Sequence, residues 1–275
     1  MDKLNECVAG LWAEVVNRSS TFPTIESQAN YWNEFADTYE QSIAEHVRLA
    51  RKCKELLRQE GLLEITNSAI EVGCGTGDLS LELASELSGI TCVDISQSML
   101  ELLKQKAAKK DIQNIVIQKG DFLNHAQEYD ISLSSYVPAS YSREGLERLV
   151  ALGKKGGLYV CGRVTDDLGL YDSIYSQLME GRQRRGNNAI YPFILLYTMG
   201  LYPKIEYLTQ CDTSVMPEDE AVQYFIRYFK NAANLPQDWE NTVERCVRSK
   251  IKGIKRTLAL EEQMTHCIII WKKQQ

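Results

Sequence analysis

Glu71-Val72-Gly73-Cys74-Gly75-Thr76-Gly77-Asp78 sets three glycines at alternate positions behind a carboxylate. Glycine takes positive φ without a steric penalty and lets a ligand approach the backbone with no Cβ in the way. An apolar pair, Ala69-Ile70, precedes the stretch, and a helical pattern (Leu79, Leu83, Ala84, Leu87) follows it. A strand, a glycine turn and a helix start with free N–H groups are the parts of a nucleotide-binding crevice. Spacing decides which ligand. A dinucleotide fingerprint, G-x-G-x-x-G, needs its third glycine at position 78. Position 78 is Asp78, and the third glycine comes one residue early. An aspartate at that helix start also repels a pyrophosphate. NAD binding is therefore disfavoured.

The next apolar run, Ile90-Thr91-Cys92-Val93, ends in Asp94. A carboxylate at the end of a second strand can accept both hydroxyls of a ribose. Ser96 reads as the N-cap of a helix carrying Met99, Leu102 and Leu103. Further runs are Ile115–Gln118, which leads to Gly120-Asp121-Phe122, then Tyr129–Ser134 and Gly156–Cys161. Ser134, Ser135, Tyr136 and Tyr141 lie at or just past the carboxyl end of the fourth run, where such sheets bind ligands. Tyr136 and Tyr141 are the candidate catalytic groups. A tyrosine there reads either as an acid or base or as an apolar wall. The three histidines, His46, His125 and His266, have no carboxylate partner in sequence, so no histidine base is expected.

Five strand-like runs alternating with helical patterns predict a doubly wound α/β sheet. Residues 1–40 read as a helical lid ahead of it, residues 41–165 as the Rossmann-like core, and residues 166–275 as the rest of the sheet with cap insertions. An amphipathic helix over 42–60, stopped by Gly61, precedes strand one. After strand five come a helix with Leu170, Ile174 and Leu178 and a basic loop with Arg182, Arg184 and Arg185. A second helix through Leu195 and Leu196 ends at Gly200. Arg182, Arg185 and Tyr191 read as a clamp for an anionic acceptor, or the arginines as a solvated charge run. Strand six is expected at Lys204–Leu208 and strand seven at Cys267–Trp271. More than fifty residues, Asp212 to Gln263, are expected between them as insertion, starting a helix at Pro217-Glu218-Asp219-Glu220. The insertions 166–200 and 212–263 are expected to cover the active site.

The chain has 275 residues, 44% hydrophobic and 25% charged, and a net charge of −6. A nucleic-acid binder should carry a basic balance or stripe, so nucleic acid is not expected as a partner. No apolar stretch approaches a bilayer span and no signal-peptide pattern opens the chain, which excludes a membrane role and points to the cytoplasm. Eight cysteines without a C-x-x-C pair read as reduced, packed thiols, and no metal-ligand spacing occurs.

Glu71-x-Gly73-x-Gly75-x-Gly77, then Asp94, Gly120-Asp121 and the Gly156-Gly157 strand start, together resemble class I S-adenosylmethionine (SAM) methyltransferases with small-molecule acceptors. The resemblance covers residues 31 to 165 well. It implies a seven-stranded Rossmann-like sheet, SAM as cofactor, S-adenosylhomocysteine (SAH) as product, and in-line displacement at the sulfonium methyl. It implies cofactor contacts from Gly73, Cys74, Gly75 and Gly77, from Asp94 to the ribose, from Ile95 and Met99, and from Ser134. Asp121 is implied near the adenine amino group, with Phe122 on the ring face. Glu71 either binds the loop backbone or reaches the methionine amino group through water. The aromatic segment Tyr31–Tyr39 resembles one that folds over the cofactor in this family, with Tyr31 and Tyr39 toward the sulfonium. Plain packing of an amphipathic helix is the other reading.

Three departures matter. Lys154-Lys155-Gly156-Gly157 replaces the common Lys-Pro-Gly-Gly. Ser134-Ser135-Tyr136-Val137-Pro138 lacks the Asn/Asp-Pro-Pro-aromatic motif of enzymes acting on nucleobases. No cysteine follows strand four, as it does in arsenic methyltransferases. A methyltransferase acting on RNA or protein, or a non-catalytic SAM-binding regulator, stands as the alternative. Oligomeric state is left open.

Overall fold

The computed structural model describes residues 2–19, 24–39, 43–162, 169–179, 189–230, 235–252 and 256–274. Seven strands form one sheet: β1 (Ser68–Val72), β2 (Gly89–Asp94), β3 (Ile115–Lys119), β4 (Tyr129–Ser135), β5 (Gly153–Gly162), β6 (Lys204–Pro217) and β7 (Thr257–Lys272). Their order is β3-β2-β1-β4-β5-β7-β6, with β7 antiparallel to β5 and β6 antiparallel to β7. The first five strands are parallel, and the chain reverses direction along the sheet between β1 and β4. That switch point is where an open α/β sheet opens its ligand crevice, at the carboxyl ends of the strands.

The expected doubly wound architecture is therefore present, and burial on both faces explains its sequence. In Cys267-Ile268-Ile269-Ile270-Trp271 alternate side chains enter opposite cores, so the run is apolar without alternation. One face is covered by α3 (Ile43–Gln59), α4 (Asp78–Leu83) and α5 (Gln97–Lys109), through Leu57, Leu83 and Leu103. The other is covered by α6 (Arg143–Leu152), α8 (Ile190–Thr198) and α1 (Asp2–Ser19), through Leu149, Leu196 and Trp12. Ser96 caps α5 as expected, its hydroxyl accepting the Met99 N–H at 3.3 Å.

The segment before the core divides in two. Helix α1 packs beneath the sheet, with Trp12 fully buried and stacked on Tyr191 at 6.3 Å. Only α2 (Ile25–Tyr39) reaches the crevice side, lying on the start of α5. Residues 1–40 are thus not one lid.

The second difference is at the far edge. Strands six and seven run well past the expected Lys204–Leu208 and Cys267–Trp271, pairing continuously from Lys204↔Ile270 to Pro217↔Thr257. Residues 212–217 and 257–263, expected as insertion, are strand. Only 218–256 lies between the strands, and it holds α9 (Glu218–Phe229) and α10 (Trp239–Lys250). Thr209-Gln210-Cys211-Asp212-Thr213-Ser214 carries no apolar run, because this ribbon outgrows β5 and needs one buried face at most. Cross-strand contacts hold it instead, such as Thr209 Oγ1 to Thr265 Oγ1 at 3.0 Å. Around its outer end, Leu258 and Leu260 pack with α7 (Leu170–Leu178), α9 and α10 in a third core. Glu218 at the start of α9 is clasped by Arg248 and Arg256, which hold its carboxyl below the usual range.

Candidate functional site

The glycine loop connects the carboxyl end of β1 to α4, and its three glycines answer three different needs. Gly73 lies under the turn after β4, where an added Cβ would meet Val137 Cγ2 at 2.5 Å. Gly77 is the N-cap of α4 at φ 78, with Leu103 Cδ1 2.2 Å from where a Cβ would stand. Gly75 also has positive φ, 52, yet nothing lies within 4 Å of its missing side chain. It is the point at which a ligand can approach the backbone. Cys74 is buried, and its N–H donates to Val93 O at 3.2 Å.

Two buried carboxylates brace this loop. Glu71 Oε2 accepts the Ser80 N–H at 3.0 Å and the Ser80 hydroxyl, joining β1 to the first turn of α4. Its partner is thus Ser80 of α4 rather than a backbone group of the glycine loop. Burial pushes the Glu71 pKa up to about 7, against the pull of the Ser80 hydrogen bonds. Asp94 accepts Gly75 N–H through Oδ2 and Ser96 N–H through Oδ1, each at 2.8 Å. Burial raises its pKa too, partly offset by these backbone donors. The pair of bonds fixes the carboxylate beside the open face of Gly75.

Asp78, which breaks the dinucleotide spacing, takes up the start of α4 itself. Its Oδ1 meets Lys106 Nζ at 2.6 Å, and its Oδ2 is 3.5 Å from His46 Nδ1. Burial works against its charge, but the bonds from His46 and Lys106 outweigh burial and lower its pKa. His46 therefore does have a carboxylate partner, one that is distant in sequence. Helix α2 closes over this region through Asn33, which sequence reasoning did not single out. Its Oδ1 accepts the Ser96 hydroxyl at 2.8 Å and the Ser98 N–H at 3.1 Å. A side-chain amide amid aromatics was the available signal. Tyr39 stacks on His46 at 4.4 Å, close to the glycine-loop helix. Tyr31 instead is buried against Phe35 at 5.3 Å and Tyr228 of α9 at 6.3 Å, so it ties α2 to the cap.

On the adenine side, Ile95 is half-buried beside Asp94. Asp121 caps the turn after β3, its Oδ1 accepting Leu123 N–H at 3.0 Å. Phe122 is only 3% exposed and packs in the core, so its ring supports that turn and offers a ligand no open face. Met99 is 2% exposed and likewise packed. Of the expected cofactor residues, Gly75 and Asp94 are joined directly by a hydrogen bond, and Ile95 follows Asp94 half-buried.

The acceptor side departs further from expectation. Ser134 is fully buried and its hydroxyl donates to Ser140, which braces the turn after β4. Ser135 is half-buried at the end of β4. Tyr141 packs edge-on against Tyr159 on the α6 face, whereas Tyr136 packs on the α3 face. The two candidate catalytic tyrosines are therefore not brought together. Tyr191, expected near an acceptor, stacks on Trp12 in the second core. Arg182 and Arg185 lie outside the described residues.

Tyr136 has partners that the sequence concealed. It stands at φ 57, a conformation costly for a bulky side chain. Its hydroxyl lies 2.7 Å from Nδ1 of His266, which is 2% exposed in β7, and Nε2 of that ring lies 2.8 Å from the Gln210 amide of β6. The sequence offered His266 no carboxylate partner, and in the fold its partner is a phenol. One signal existed: His266 shares strand parity with Ile268 and Ile270, so it had to enter the same core. No group of His, Cys, Asp and Glu able to hold a metal occurs among the described residues, and the cysteines are free thiols.

Residues 65–184 match a family model described as a methyltransferase domain. A release factor glutamine methyltransferase of Streptococcus pneumoniae is 32% identical over 127 residues, covering 41% of this chain and 44% of that protein. The chain thus spans less than half the length of that relative. Among solved structures, magnesium protoporphyrin IX methyltransferase of Synechocystis with bound SAH superposes with a TM-score of 0.56 at 14% identity, covering 90% of this chain and 98% of that one. A geranyl diphosphate C-methyltransferase of Streptomyces coelicolor, also with SAH, gives 0.51 at 11%, over 90% and 98%. These two likenesses establish the fold.

Proposed function

We propose that this chain, whose residues 65–184 match a methyltransferase-domain model, uses SAM to methylate a small-molecule acceptor. One observation carries the reading: at Gly75 a positive-φ backbone faces open space, with the fixed carboxylate of Asp94 beside it. That combination suits a ligand with a ribose diol and no phosphate at this point. Asp78, paired with Lys106 and lying beside His46, occupies the helix start where a pyrophosphate would sit. When bound, the cofactor supplies a methyl activated by the sulfonium.

The residues of the chain bind, orient and exclude water. Asp94 accepts the ribose hydroxyls on lone pairs not used by Gly75 and Ser96 N–H. Asp121 and Ile95 bound the adenine side, and Tyr39 presents an aromatic ring toward the sulfonium. Helix α2, pinned by Asn33, and the cap of α7, α9 and α10 screen the crevice from water. No helix among the described residues is long and apolar enough to cross a membrane. We place the protein in the cytoplasm, where free thiols at all eight cysteines are the normal state.

A protein acceptor is the second reading, favoured by the similarity to the release factor enzyme. Tritiated methyl from SAM, offered to a cell extract with the purified chain, separates the two. Label in the low-molecular-weight fraction is expected. Label confined to one polypeptide would move the assignment to protein methylation, and no transfer at all would reject both.

A further inference from the structure

We propose that the free edge of β6 pairs with the same edge of a second copy of this chain, antiparallel and centred on Cys211, so that two sheets become one.

The ladders fix which backbone groups are free. Lys273 N–H donates to Lys155 O at 2.8 Å, in step with the β5–β7 pairing. Glu218 N–H donates to Arg256 O at 3.1 Å, in step with the β6–β7 pairing. An antiparallel strand turns its N–H and C=O to one neighbour and then to the other at alternate residues. The odd-numbered residues of β7 therefore bond β5, and the even-numbered residues of β7 and β6 bond each other. In β6 the odd-numbered residues, Ile205, Tyr207, Thr209, Cys211, Thr213 and Val215, turn both groups outward. Among the described residues no strand pairs beyond β6.

This edge lacks the guards that keep sheets apart. Edge strands are blunted by shortness, by charged residues or proline, or by bulges. β6 is 14 residues long, pairs with β7 without a register shift, and carries its proline at the last position. Its charged residues, Lys204, Glu206 and Asp212, all stand at even positions, which face β7. The outward-bonding positions are uncharged, and all but Cys211 are β-branched or aromatic, the types that suit a paired strand. The ribbon also has few strands behind it. β5 accompanies β7 only as far as Gly162↔His266, so residues 257–265 pair with β6 alone. Two strands by themselves are marginal, and joining two edges places this stretch in the order β7-β6-β6-β7.

Self-complementarity sets the register. Edge bonds need odd residues opposite odd residues, so the two-fold axis passes through a residue and not between two. Centred on Cys211, the pairing runs from 205 to 217 and sets Tyr207, 58% exposed, opposite Val215 of the second copy, 64% exposed. An aromatic opposite a β-branched residue is a favourable cross-strand pair. Glu206 stands opposite Met216 and Asp212 opposite Gln210, so like charges do not meet. Centring on Thr209 instead would set Glu206 opposite Asp212 on both sides of the axis. Cys211, an exposed thiol, stands opposite its own copy at the axis.

The test is the mass of the full chain in solution, by sedimentation over a micromolar concentration series at physiological salt. A concentration-dependent dimer is expected. Cys211→Pro removes the outward donor at the axis and spares the β6–β7 bonds, because proline is tolerated where an edge N–H faces solvent. It should weaken the dimer on the order of 100-fold through loss of both central bonds, with the circular dichroism spectrum retained. Val215→Lys leaves the backbone ladder alone, removes the apolar partner of Tyr207, and should weaken the dimer on the order of 10-fold. A short bismaleimide should join two chains through Cys211. Its product should persist in Cys7→Ser, which removes another exposed thiol, and vanish in Cys211→Ser. A monomer at every concentration overturns the proposal. A dimer unaffected by both Cys211→Pro and Val215→Lys, or a cross-link that survives Cys211→Ser, places the contact elsewhere and overturns it too.

Discussion

The two sides of the crevice are built by different means. The cofactor side lies within a single β-loop-α-β unit, from Glu71 to Asp94, and works through backbone: glycine φ angles, N–H donors and two carboxylates that brace them. The side proposed for the acceptor is built from side chains gathered from afar. Tyr136 and His266 are 130 residues apart, and a separate ring cluster of Tyr31, Tyr171, Tyr224 and Tyr228 is drawn from α2, α7 and α9. A backbone-built site leaves a spacing in the sequence, because glycine and aspartate must stand at fixed offsets. A side-chain site leaves none, because its members are set by sheet order and by which face each strand residue meets.

The sharpest way to break this contrast is to substitute two glycines of one loop. Gly77→Ala must be strained in φ and must displace Leu103, which should cost about 3 kcal/mol or more. Gly75→Ala meets no atom and should cost only about 1–2 kcal/mol from φ, yet it should remove most SAH affinity. Urea unfolding and SAH titration on both variants check the pair. Equal destabilisation with equal binding loss would erase the distinction between a packing glycine and a ligand glycine.

The brace at Glu71 makes the cofactor side pH-sensitive. Its folded pKa is raised from the ordinary 4.5 to about 7, so the folded state favours the protonated carboxyl. That contribution is full below about pH 4.5 and is lost as pH rises through about 7. The loss is on the order of 3 kcal/mol. Glu71→Gln should flatten this part of the stability curve, measured by urea unfolding from pH 5 to 8. A curve that keeps the wild-type slope would show that another group titrates there.

Asn33 tests how α2 is attached. Asn33→Ala removes the acceptor for Ser96 and Ser98 and should cost about 1–2 kcal/mol. Hydrogen exchange in residues 25–39 should quicken, and SAH should slow it less than in wild type. Unchanged exchange would detach α2 from any lid role. The smallest effect belongs to Tyr39. Tyr39→Phe keeps the ring stacked on His46 and should change SAH affinity less than twofold, while Tyr39→Ala should weaken it several-fold, or about 1 kcal/mol. If phenylalanine is as damaging as alanine, the hydroxyl has a polar role.

Legibility in the sequence followed the same divide. The five parallel strands, Ser96 as a cap and Asp94 at the strand end could all be read from local pattern. What escaped was non-local. The β6–β7 ribbon has a polar sequence and is held by pairing, so its length gave no apolar signal. Tyr191 and Tyr141 looked like site residues from their place in the chain, but Tyr191 packs on Trp12 and Tyr141 on Tyr159, both against the second core. The partners of His46 and His266 come from other elements, and no local spacing announces them.

Calorimetric titration with SAH tests the central claim most directly. The wild-type chain should bind SAH and not NAD, and Asp94→Ala should weaken SAH on the order of 10- to 100-fold, as expected for losing a charged acceptor of two hydroxyls. Unchanged SAH affinity in Asp94→Ala, or NAD binding by the wild type, would contradict the cofactor site described for β1 and β2.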